Sequence, residues 1–421
     1  MLRSPVLRTG FLVYLAAALS LEEAALSDVG RPAPELGAPA QTGRSSEFRV
    51  ISGSEAVVPT SIEAGAVIVN VVVNGRGPFP MMFDTGAQDA VTPETAAALG
   101  LKAEGSGSVR DSGGNSIPVT YAKVRNLRLG NVEMADQPFA IVPLPRYLTD
   151  RGGRPPLAGV IGNELLAHFA VRLDYEGRTL TLRPAQGFDD HGNGTKVPLR
   201  LRGKAPAVSA AADGIPGVFV LDTGSVGALT LRREFVEKHG LEARHPSALR
   251  VKSISAAGPF EAILTRLDRF DVAGSRIDRP AARFPSTTGK GLVFTDIDGS
   301  IGYEILRQFT ITFDYERRNL WFEHSGAFGT RTGQGSAGFQ AVKSEGAGFK
   351  VITVLPNTAA AEAGVRVGDV IVAIDGRSTA SMSLSDFAVL MRRPPGTLVN
   401  FDIDRDGNRQ SVSLTLKDVL P

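Results

Sequence analysis

The tripeptide Asp-Thr-Gly occurs twice in this chain, each time directly after an apolar run. Asp84 follows residues 80–83, and Asp222 follows residues 218–221. A strand that ends in an acid and a glycine turn leaves the carboxyl group half-buried, where desolvation penalises its ionised form. One copy alone would indicate little, because Asp and Gly are common turn residues. Two copies in one chain predict that the two acids meet.

Two carboxyl groups that share one site differ in protonation. They cannot both ionise easily, so one keeps a proton while the other acts as a base. Such a pair can activate a water molecule against an amide carbonyl and then protonate the leaving nitrogen. We therefore predict that Asp84 and Asp222 act together as catalytic residues.

Three landmarks recur in the same order in the two halves of the chain. The paired landmarks, 138 to 140 residues apart, are Asp84 with Asp222, Gly162 with Gly302, and Asp174 with Asp314. Landmarks nearly in phase indicate an internal duplication. Each half supplies one acid, so we expect a monomeric catalytic unit. The alternative is an isolated lobe that must dimerise.

Composition excludes several classes of function. The 421 residues suffice for two or three domains, and the hydrophobic fraction of 43% allows a sizeable core. The chain has no cysteine, which excludes disulfides, thiolate catalysis and cysteine metal sites. A net charge of +2 with scattered Lys and Arg residues gives no reason to expect nucleic acid as a partner. The five histidines lack an HExxH spacing, and we expect no metal and no cofactor.

The N-terminus has the pattern of a targeting segment. Arg3 and Arg8 precede a short apolar run at residues 11–19, and Glu22 ends it. The run is too short for a stable membrane span, which favours a signal peptide over residues 1–27 and export to a bacterial periplasm. A retained N-terminal anchor is the alternative. Residues 28–46, rich in Pro, Gly, Ala and Ser, predict an unstructured linker.

The first half continues with a helix and a glycine-rich segment. Thr92 as N-cap predicts a helix that ends at Gly100. Residues 105–115, which include Gly113 and Gly114, then lie between two stretches able to form strands. They predict either a flexible surface hairpin or a flap that opens and closes over a cleft.

Together these features resemble a bilobal aspartic protease of the retropepsin–pepsin superfamily, from about residue 60 onward. The resemblance implies a mainly β fold with two acid-protease β-barrel lobes related by a pseudo-twofold axis. In the family, Thr85 and Thr223 would hydrogen-bond across to the opposite lobe. Gly86 and Gly224 would leave backbone amides free to approach the carboxylates. An apolar-apolar-Gly segment, matched by Gly162, crosses behind the catalytic loop of its lobe.

The C-terminal part is similar to a PDZ domain, a β-rich α+β module, as found in predicted bacterial aspartyl proteases. Residues 350–376 contain a strand, an Ala-rich helix, a turn at Gly368 and a second strand, and residues 383–391 predict a longer helix. PDZ domains take a peptide C-terminus as an added strand and hold its carboxylate with backbone amides. The residues similar to that carboxylate loop are Ser336, Ala337, Gly338 and Phe339. A packing or oligomerising role is the alternative to peptide capture.

The two motifs differ at their fourth position. Ser225 can donate a hydrogen bond to Asp222, whereas Ala87 cannot do so for Asp84. We therefore expect Asp222 to carry the charge and Asp84 the shared proton. Asp296 begins a segment superficially like a calcium loop, but it lacks the remaining oxygen ligands, and a turn is the better interpretation.

The sequence as a whole predicts an exported aspartic endopeptidase that acts on polypeptides. The expected domains after the linker are an N-terminal lobe at residues 47–188, a C-terminal lobe at 189–329 and a PDZ domain at 330–421. Peptide C-termini are the expected partners of the PDZ domain. The alternative is a catalytically silent peptide-binding or scaffold protein that keeps the fold, although such a protein need not retain both acids.

Overall fold

The protein is described by a computed structural model. It covers residues 13–15, 22–23, 48–110, 116–188, 194–246, 248–255, 258–286, 296–333, 335–344, 348–418 and 420. Most elements are strands, which agrees with the predicted mainly β class. No helix within these residues is long and apolar enough to cross a membrane.

The strands are numbered in chain order. As far as residue 184 they are β1 (Val13–Leu15), β2 (Glu22–Glu23), β3 (Phe48–Val50), β4 (Ala56–Pro59), β5 (Ser61–Glu63), β6 (Ala66–Val73), β7 (Arg76–Phe83), β8 (Ala90–Val91), β9 (Ala103–Arg110), β10 (Ser116–Leu129), β11 (Val132–Ile141), β12 (Gly159–Ile161), β13 (Phe169–Asp174) and β14 (Thr179–Pro184).

The second half repeats this pattern. Its strands are β15 (Thr195–Pro198), β16 (Arg200–Arg202), β17 (Ala205–Ala212), β18 (Ile215–Leu221), β19 (Leu229–Leu231), β20 (Leu249–Ser255), β21 (Gly258–Arg266), β22 (Arg269–Val272), β23 (Ser275–Asp278), β24 (Ala281–Pro285), β25 (Gly299–Ile301), β26 (Phe309–Asp314) and β27 (Asn319–His324).

The C-terminal strands and the helices complete the set. The strands are β28 (Gly335–Ser336), β29 (Phe339–Ser344), β30 (Gly348–Val354), β31 (Val370–Ile374), β32 (Arg377–Ser378), β33 (Leu398–Arg405), β34 (Asn408–Thr415) and β35 (Lys417–Asp418). The helices are α1 (Pro93–Leu99), α2 (Arg146–Thr149), α3 (Arg233–Lys238), α4 (Leu241–Arg244), α5 (Tyr303–Leu306), α6 (Ala359–Glu362) and α7 (Leu384–Met391), with a 3₁₀ turn at Leu165–Ala167.

Each half builds one large sheet around its Asp-Thr-Gly strand. In the first lobe the order is β2-β9-β10-β11-β8-β12-β7-β6-β5, with β3 beside β11. In the second it is β1-β20-β21-β24-β19-β25-β18-β17-β22-β23, with β16 beside β17. The N-terminal strands thus pair with a hairpin of each lobe: β2 with β9, and β1, from the predicted signal peptide, with β20.

The two lobes share a third sheet. Its order is β15-β27-β26-β13-β14-β4, three strands from each half of the chain. The lobes meet where β13 and β26 pair antiparallel, with Leu173 opposite Ile311. A single buried apolar cluster, which includes Phe83, Leu221 and Phe313, extends through both lobes and this sheet. The lobes therefore form one folded body.

The predicted helix after the first motif is confirmed. Thr92 precedes α1, and its side-chain oxygen accepts a hydrogen bond from the N–H of Thr95 at 3.2 Å. Gly100 ends the helix at φ 66°, a left-handed conformation that glycine adopts without penalty. α1 follows the short strand β8, so it leads the chain away from the Asp84 loop.

The C-terminal module has its own core and sheet, ordered β29-β30-β31-β33-β34, with β29 at the edge. Its predicted long helix is confirmed as α7, with the Ser383 hydroxyl accepting from the N–H of Asp386 at 3.0 Å. Phe387 of α7 stacks on Phe349 of β30, with ring centroids 4.1 Å apart. Helix α7 therefore packs over the same end of the sheet as the edge strand β29.

Candidate active site

Parallel pairing behind each Asp-Thr-Gly loop fixes the backbone of the acid. Strand β12 runs parallel to β7, and the N–H of Asp84 donates to the carbonyl of Ile161 at 2.9 Å. Strand β25 runs parallel to β18, and the N–H of Asp222 donates to Ile301 at the same distance. The duplication seen in the sequence is thus a duplication of hydrogen bonds.

The glycines that follow these strands are required by close backbone contacts. A Cβ on Gly162 would lie 2.4 Å from the carbonyl oxygen of Ala87. A Cβ on Gly302 would lie 2.5 Å from that of Gly227. These distances are too short for any side chain, so the expected crossing of two backbones behind each loop is present.

The two threonines join the loops across the lobe boundary. The hydroxyl of Thr85 donates to the carbonyl of Leu221 at 2.6 Å and accepts from the N–H of Thr223 at 3.2 Å. The hydroxyl of Thr223 donates to Phe83 at 2.8 Å and accepts from the N–H of Thr85 at 3.0 Å. All four groups are buried, so this reciprocal arrangement holds the two acids in fixed register.

Both acids are buried, and backbone amides bind them. Oδ1 of Asp84 accepts from the N–H of Gly86 at 2.9 Å. Oδ1 of Asp222 accepts from the N–H groups of Gly224 and Ser225, each at 3.0 Å. A Cβ on Gly224 would lie 2.1 Å from Oδ2 of Asp84, so only glycine lets the second loop approach the first acid.

Asp84 favours its protonated form. Burial raises the pKa of Asp84 well above its usual value, and the neighbouring Asp222 carboxylate raises it further. The hydrogen bonds from backbone amides oppose this shift without cancelling it. Oδ2 of Asp84 is buried against the Gly224 loop. The site therefore combines an acid whose pKa is raised with a second carboxyl group that accepts hydrogen bonds from two amides.

A second pair of acids in the first lobe was not predicted from the sequence. Oδ1 of the buried Asp89 accepts from the N–H of Gly162 at 2.7 Å, and its own N–H donates to Oε2 of Glu164 at 2.9 Å. Burial first, and Glu164 second, raise the pKa of Asp89 well above its usual value. Lys204 of the second lobe lies 3.3 Å from Glu164. Glu164 lies two residues after Gly162, and Glu304 lies two residues after Gly302. This repeated spacing is the sequence signal that could have identified the two glutamates.

Residues 105–110, the described part of the glycine-rich segment, lie in strand β9, which pairs antiparallel with β10. Gly113 and Gly114, the predicted flap residues, lie outside the described residues. Val109 and Val119 of these two strands belong to the same buried apolar cluster as Met82 and Ala87, which flank Asp84 in sequence. Strands β9 and β10 therefore pack beside the residues that flank Asp84, and the flap role stays a prediction.

The predicted carboxylate loop of the C-terminal module is folded tightly. The N–H of Gly338 donates to the hydroxyl of Ser336 at 3.1 Å, and Ala337 is buried. Phe339 begins the edge strand β29, and its ring lies 6.4 Å from that of Phe387 on α7. At the other end of β29, Nζ of Lys343 donates to three backbone carbonyls in residues 379–382, at 2.6–2.8 Å. Lys343 thus joins the end of β29 to the segment that precedes α7.

Comparison with known proteins identifies the three parts. The aspartyl protease family model matches residues 69–165 and again residues 208–305. A PDZ domain model matches residues 350–405. The chain carries two aspartyl protease domains and a C-terminal PDZ domain. Each protease match contains one of the two Asp-Thr-Gly motifs.

Two solved structures are similar to this chain. One is the crystal structure of an aspartic proteinase from Irpex lacteus, with 13% identity, a TM-score of 0.42, and coverage of 66% of this chain and 99% of that one. The other is the crystal structure of basic 7S globulin from soybean, with 12% identity, a TM-score of 0.37, and coverage of 65% and 95%. No curated protein matches the chain.

The PDZ domain contacts both protease domains. Arg154 of the first lobe lies 3.1 Å from Asp386 of α7. In the second lobe, Oε2 of the buried Glu304 accepts from the N–H of Gly333 in the connection to the PDZ domain at 2.5 Å. Arg392, which directly follows α7, acts electrostatically on the same carboxylate.

The described residues contain no group of three or more His, Asp or Glu side chains arranged to hold a metal ion.

Proposed function

We propose that this protein is an aspartic endopeptidase in which Asp84 and Asp222 activate a water molecule against a peptide bond. The observation that carries the proposal is the pairing of two buried acids on loops joined by Thr85 and Thr223. The raised pKa of Asp84 supports unequal protonation of the pair, which general acid–base hydrolysis needs.

The chemistry follows from this inequality. Asp222, stabilised by two amide N–H groups, takes a proton from the water while the water oxygen bonds to the carbonyl carbon. Asp84 gives its proton to the carbonyl oxygen, so no free oxyanion forms. The C–N bond then breaks as the nitrogen takes the proton from Asp222, and the hydroxyl of the intermediate returns a proton to Asp84. The pair ends in its starting state.

The PDZ domain would bind or present polypeptide substrate. Strand β29 lies at the edge of its sheet, with a neighbouring strand on one side only among the described residues, and it begins at the loop of Ser336, Ala337, Gly338 and Phe339. An incoming carboxylate would take over the Gly338 N–H from the Ser336 hydroxyl. We propose peptide C-termini as the ligands of this edge strand.

Location and assembly complete the proposal. The basic and apolar pattern of residues 3–19 supports export by a signal peptide, with the bacterial periplasm as the destination. Because one chain supplies both acids, we propose that the active species is a monomer. Analytical ultracentrifugation of the purified protein during turnover would test this directly.

Cleavage of casein between pH 3 and pH 8 tests the activity. Wild type should cleave and should be inhibited by a statine-type peptide. Asp84→Asn and Asp222→Asn should each lower kcat/KM by roughly 1,000-fold, since each removes one partner of the acid–base pair. A well-folded wild type that cleaves at no pH, and that binds no inhibitor in calorimetry, would instead identify a silent peptide-binding protein.

The assignment of the shared proton can be tested separately. We propose that it resides on Asp84, because two amide N–H groups favour the charged form of Asp222. A neutron structure of the unliganded protein would locate the proton. A proton on Asp222 would contradict this assignment without affecting the proposed activity.

A further inference from the structure

A pocket lies between the first lobe, the second catalytic loop and the PDZ domain. Its floor is apolar, formed by Ala66, Ile68, Met82, Leu148, Leu157 and Val226. Charged side chains form its rim, with Glu63 bound to Arg151 at 2.6 Å and to Arg154 at 3.1 Å. Such a lining fits an apolar side chain whose backbone stays near the polar rim.

The pocket lies on the catalytic face of the sheet. Met82 precedes Asp84 by two residues, and alternate residues of a strand point to the same face. Ile68 is directly opposite Met82 on the neighbouring strand β6. Val226 directly follows Ser225, whose N–H donates to Asp222. A polypeptide whose scissile bond lies between the two acids would therefore pass this pocket with one of its side chains.

One wall of the pocket belongs to the PDZ domain. Ser385, in the first turn of α7, lines it. The next residue, Asp386, holds Arg154 at 3.1 Å. Gly152 packs against the start of the helix, where a Cβ would lie 3.0 Å from the carbonyl oxygen of Ser381 and the N–H nitrogen of Ser383. The contact is thus close packing as well as an exposed ion pair.

The other end of α7 is held by the second lobe. Arg392, at the end of the helix, lines one pocket together with Glu304 and Gly333, and the N–H of Gly333 donates to the buried Glu304. The N–H of Glu304 in turn donates to Gly227 at 3.1 Å, five residues after Asp222. The helix is therefore fixed to one lobe at each end and spans the space between them beside the acids.

We propose that the first turn of α7 is a fixed wall of the substrate site, and that Ser385 limits the size of the apolar substrate side chain the pocket accepts. This inference rests on the proposed peptidase function and adds a specificity role for the PDZ domain. The wall stays in place during turnover, because both ends of α7 are anchored. The selectivity of cleavage thus depends on a residue outside the two protease domains.

Ser385→Trp tests the wall by narrowing the pocket. Leu398→Trp is the matched control, since it places the same side chain on an exposed position of the same domain, outside the pocket lining. With a peptide series that varies one residue at a time among Ala, Leu and Phe, Ser385→Trp should lower kcat/KM for Leu and Phe at one position by about 10-fold or more. Peptides with Ala there should change by less than about 2-fold.

The test depends on how the change in kcat/KM differs among the Ala, Leu and Phe peptides, and not on the overall size of that change. An equal loss for all peptides, or no loss for any, overturns the proposal. Statine-type peptides carrying the same three side chains give the same comparison by calorimetry without turnover. A wild type that binds them with the expected selectivity but does not cleave would contradict the peptidase function alone.

A crosslink separates a fixed wall from a movable lid. Because the chain has no cysteine, Gly152→Cys with Asp386→Cys creates a single pair at a close contact. The oxidised double variant, in which the crosslink replaces the lost ion pair, should keep the casein activity and side-chain preference of the wild type within about 2-fold. Activity lost on oxidation and restored by reduction would show that α7 must move away, and the wall would be refuted.

Discussion

Behind the catalytic loop of the first lobe lie Asp89 and Glu164, whereas the matching region of the second lobe holds Gly227 and Glu304. Asp89 ties its loop to Gly162 with a side-chain hydrogen bond, and Glu164 reaches Lys204 of the second lobe. Gly227 has no side chain, and Glu304 is bound by the connection to the PDZ domain. The first loop is thus supported within the protease lobes, and the second by the added domain.

This difference shows what duplication preserves. The backbone hydrogen bonds to Asp84 and Asp222 are the same in both lobes, because they set the geometry of the pair. The residues that pack behind the two catalytic loops differ between the lobes. Different groups can fill this space and hydrogen-bond the buried amides, so either set can support the loop in front of it. Mutations at matched positions should therefore have equal effects close to the acids and unequal effects behind them.

The largest effects should be equal in the two lobes. Gly162→Ala and Gly302→Ala place a Cβ within 2.5 Å of backbone oxygens, so each should cost about 4 kcal/mol or more and abolish activity. Gly105→Ala is the control, because nothing lies within 4 Å of its Cβ. Thermal unfolding and casein cleavage measure both effects. A tolerated alanine at either site would refute the backbone crossing there.

Next in size are the threonines. Thr85→Val and Thr223→Val each remove two buried hydrogen bonds, and we expect each to destabilise the protein by about 2–3 kcal/mol. Thr→Ser at the same positions keeps the hydroxyl and should recover most of the loss. If the two valine variants differ by more than about 2 kcal/mol in unfolding free energy, the hydrogen bonds of one threonine contribute most of the stabilisation between the loops.

Smaller, and unequal, are the effects of the matched glutamates. A double-mutant cycle of Glu304→Ala with Arg392→Ala should give a coupling energy of about 1–2 kcal/mol, because Glu304 is buried. The cycle of Glu164→Ala with Lys204→Ala should give about 0.5 kcal/mol or less, because the Lys204 side chain is 64% exposed. Equal coupling energies in the two cycles would show that the two glutamates support their loops equally, which would contradict the difference between the lobes.

The smallest effect concerns pH. The folded protein holds the Asp89 proton above the usual pKa of 3.8, while the unfolded chain releases it there. The contribution of Asp89 to the free energy of unfolding is therefore largest below pH 3.8. It decreases as the pH rises towards the pKa that Asp89 has in the folded protein. Asp89→Asn should flatten the fall of the unfolding temperature between pH 4 and pH 8. An unchanged slope would show that Asp89 is ionised in the folded state.

The sequence was sufficient for the parts that repeat. Asp84 with Asp222 and Gly162 with Gly302 could be paired from their spacing, and the Thr92 cap gave α1 its first residue. These features are local or duplicated, so a pattern reveals them. For Asp222 the sequence predicted a hydrogen bond from the Ser225 hydroxyl, whereas the hydrogen bond seen in the structure comes from the Ser225 N–H, which any residue at that position could donate.

Contacts between distant segments were not predictable in this way. Asp89 and Glu164 are 75 residues apart, and Arg154 and Asp386 are 232 apart. Charged residues on loops are usually solvated, and nothing in their sequence environment distinguishes the few that become buried or paired. The wall that α7 adds to the pocket depends on how the PDZ domain packs, which no local pattern records.

The shared sheet has a practical consequence for handling the protein. A single proteolytic cut between β14 and β15 would leave two fragments whose strands β13 and β26 remain hydrogen-bonded. The threonine contacts and the common apolar core would also remain. The nicked protein would elute as one species and keep its activity, while a denaturing gel would show two bands. Apparent degradation of this protein is therefore no measure of its inactivation.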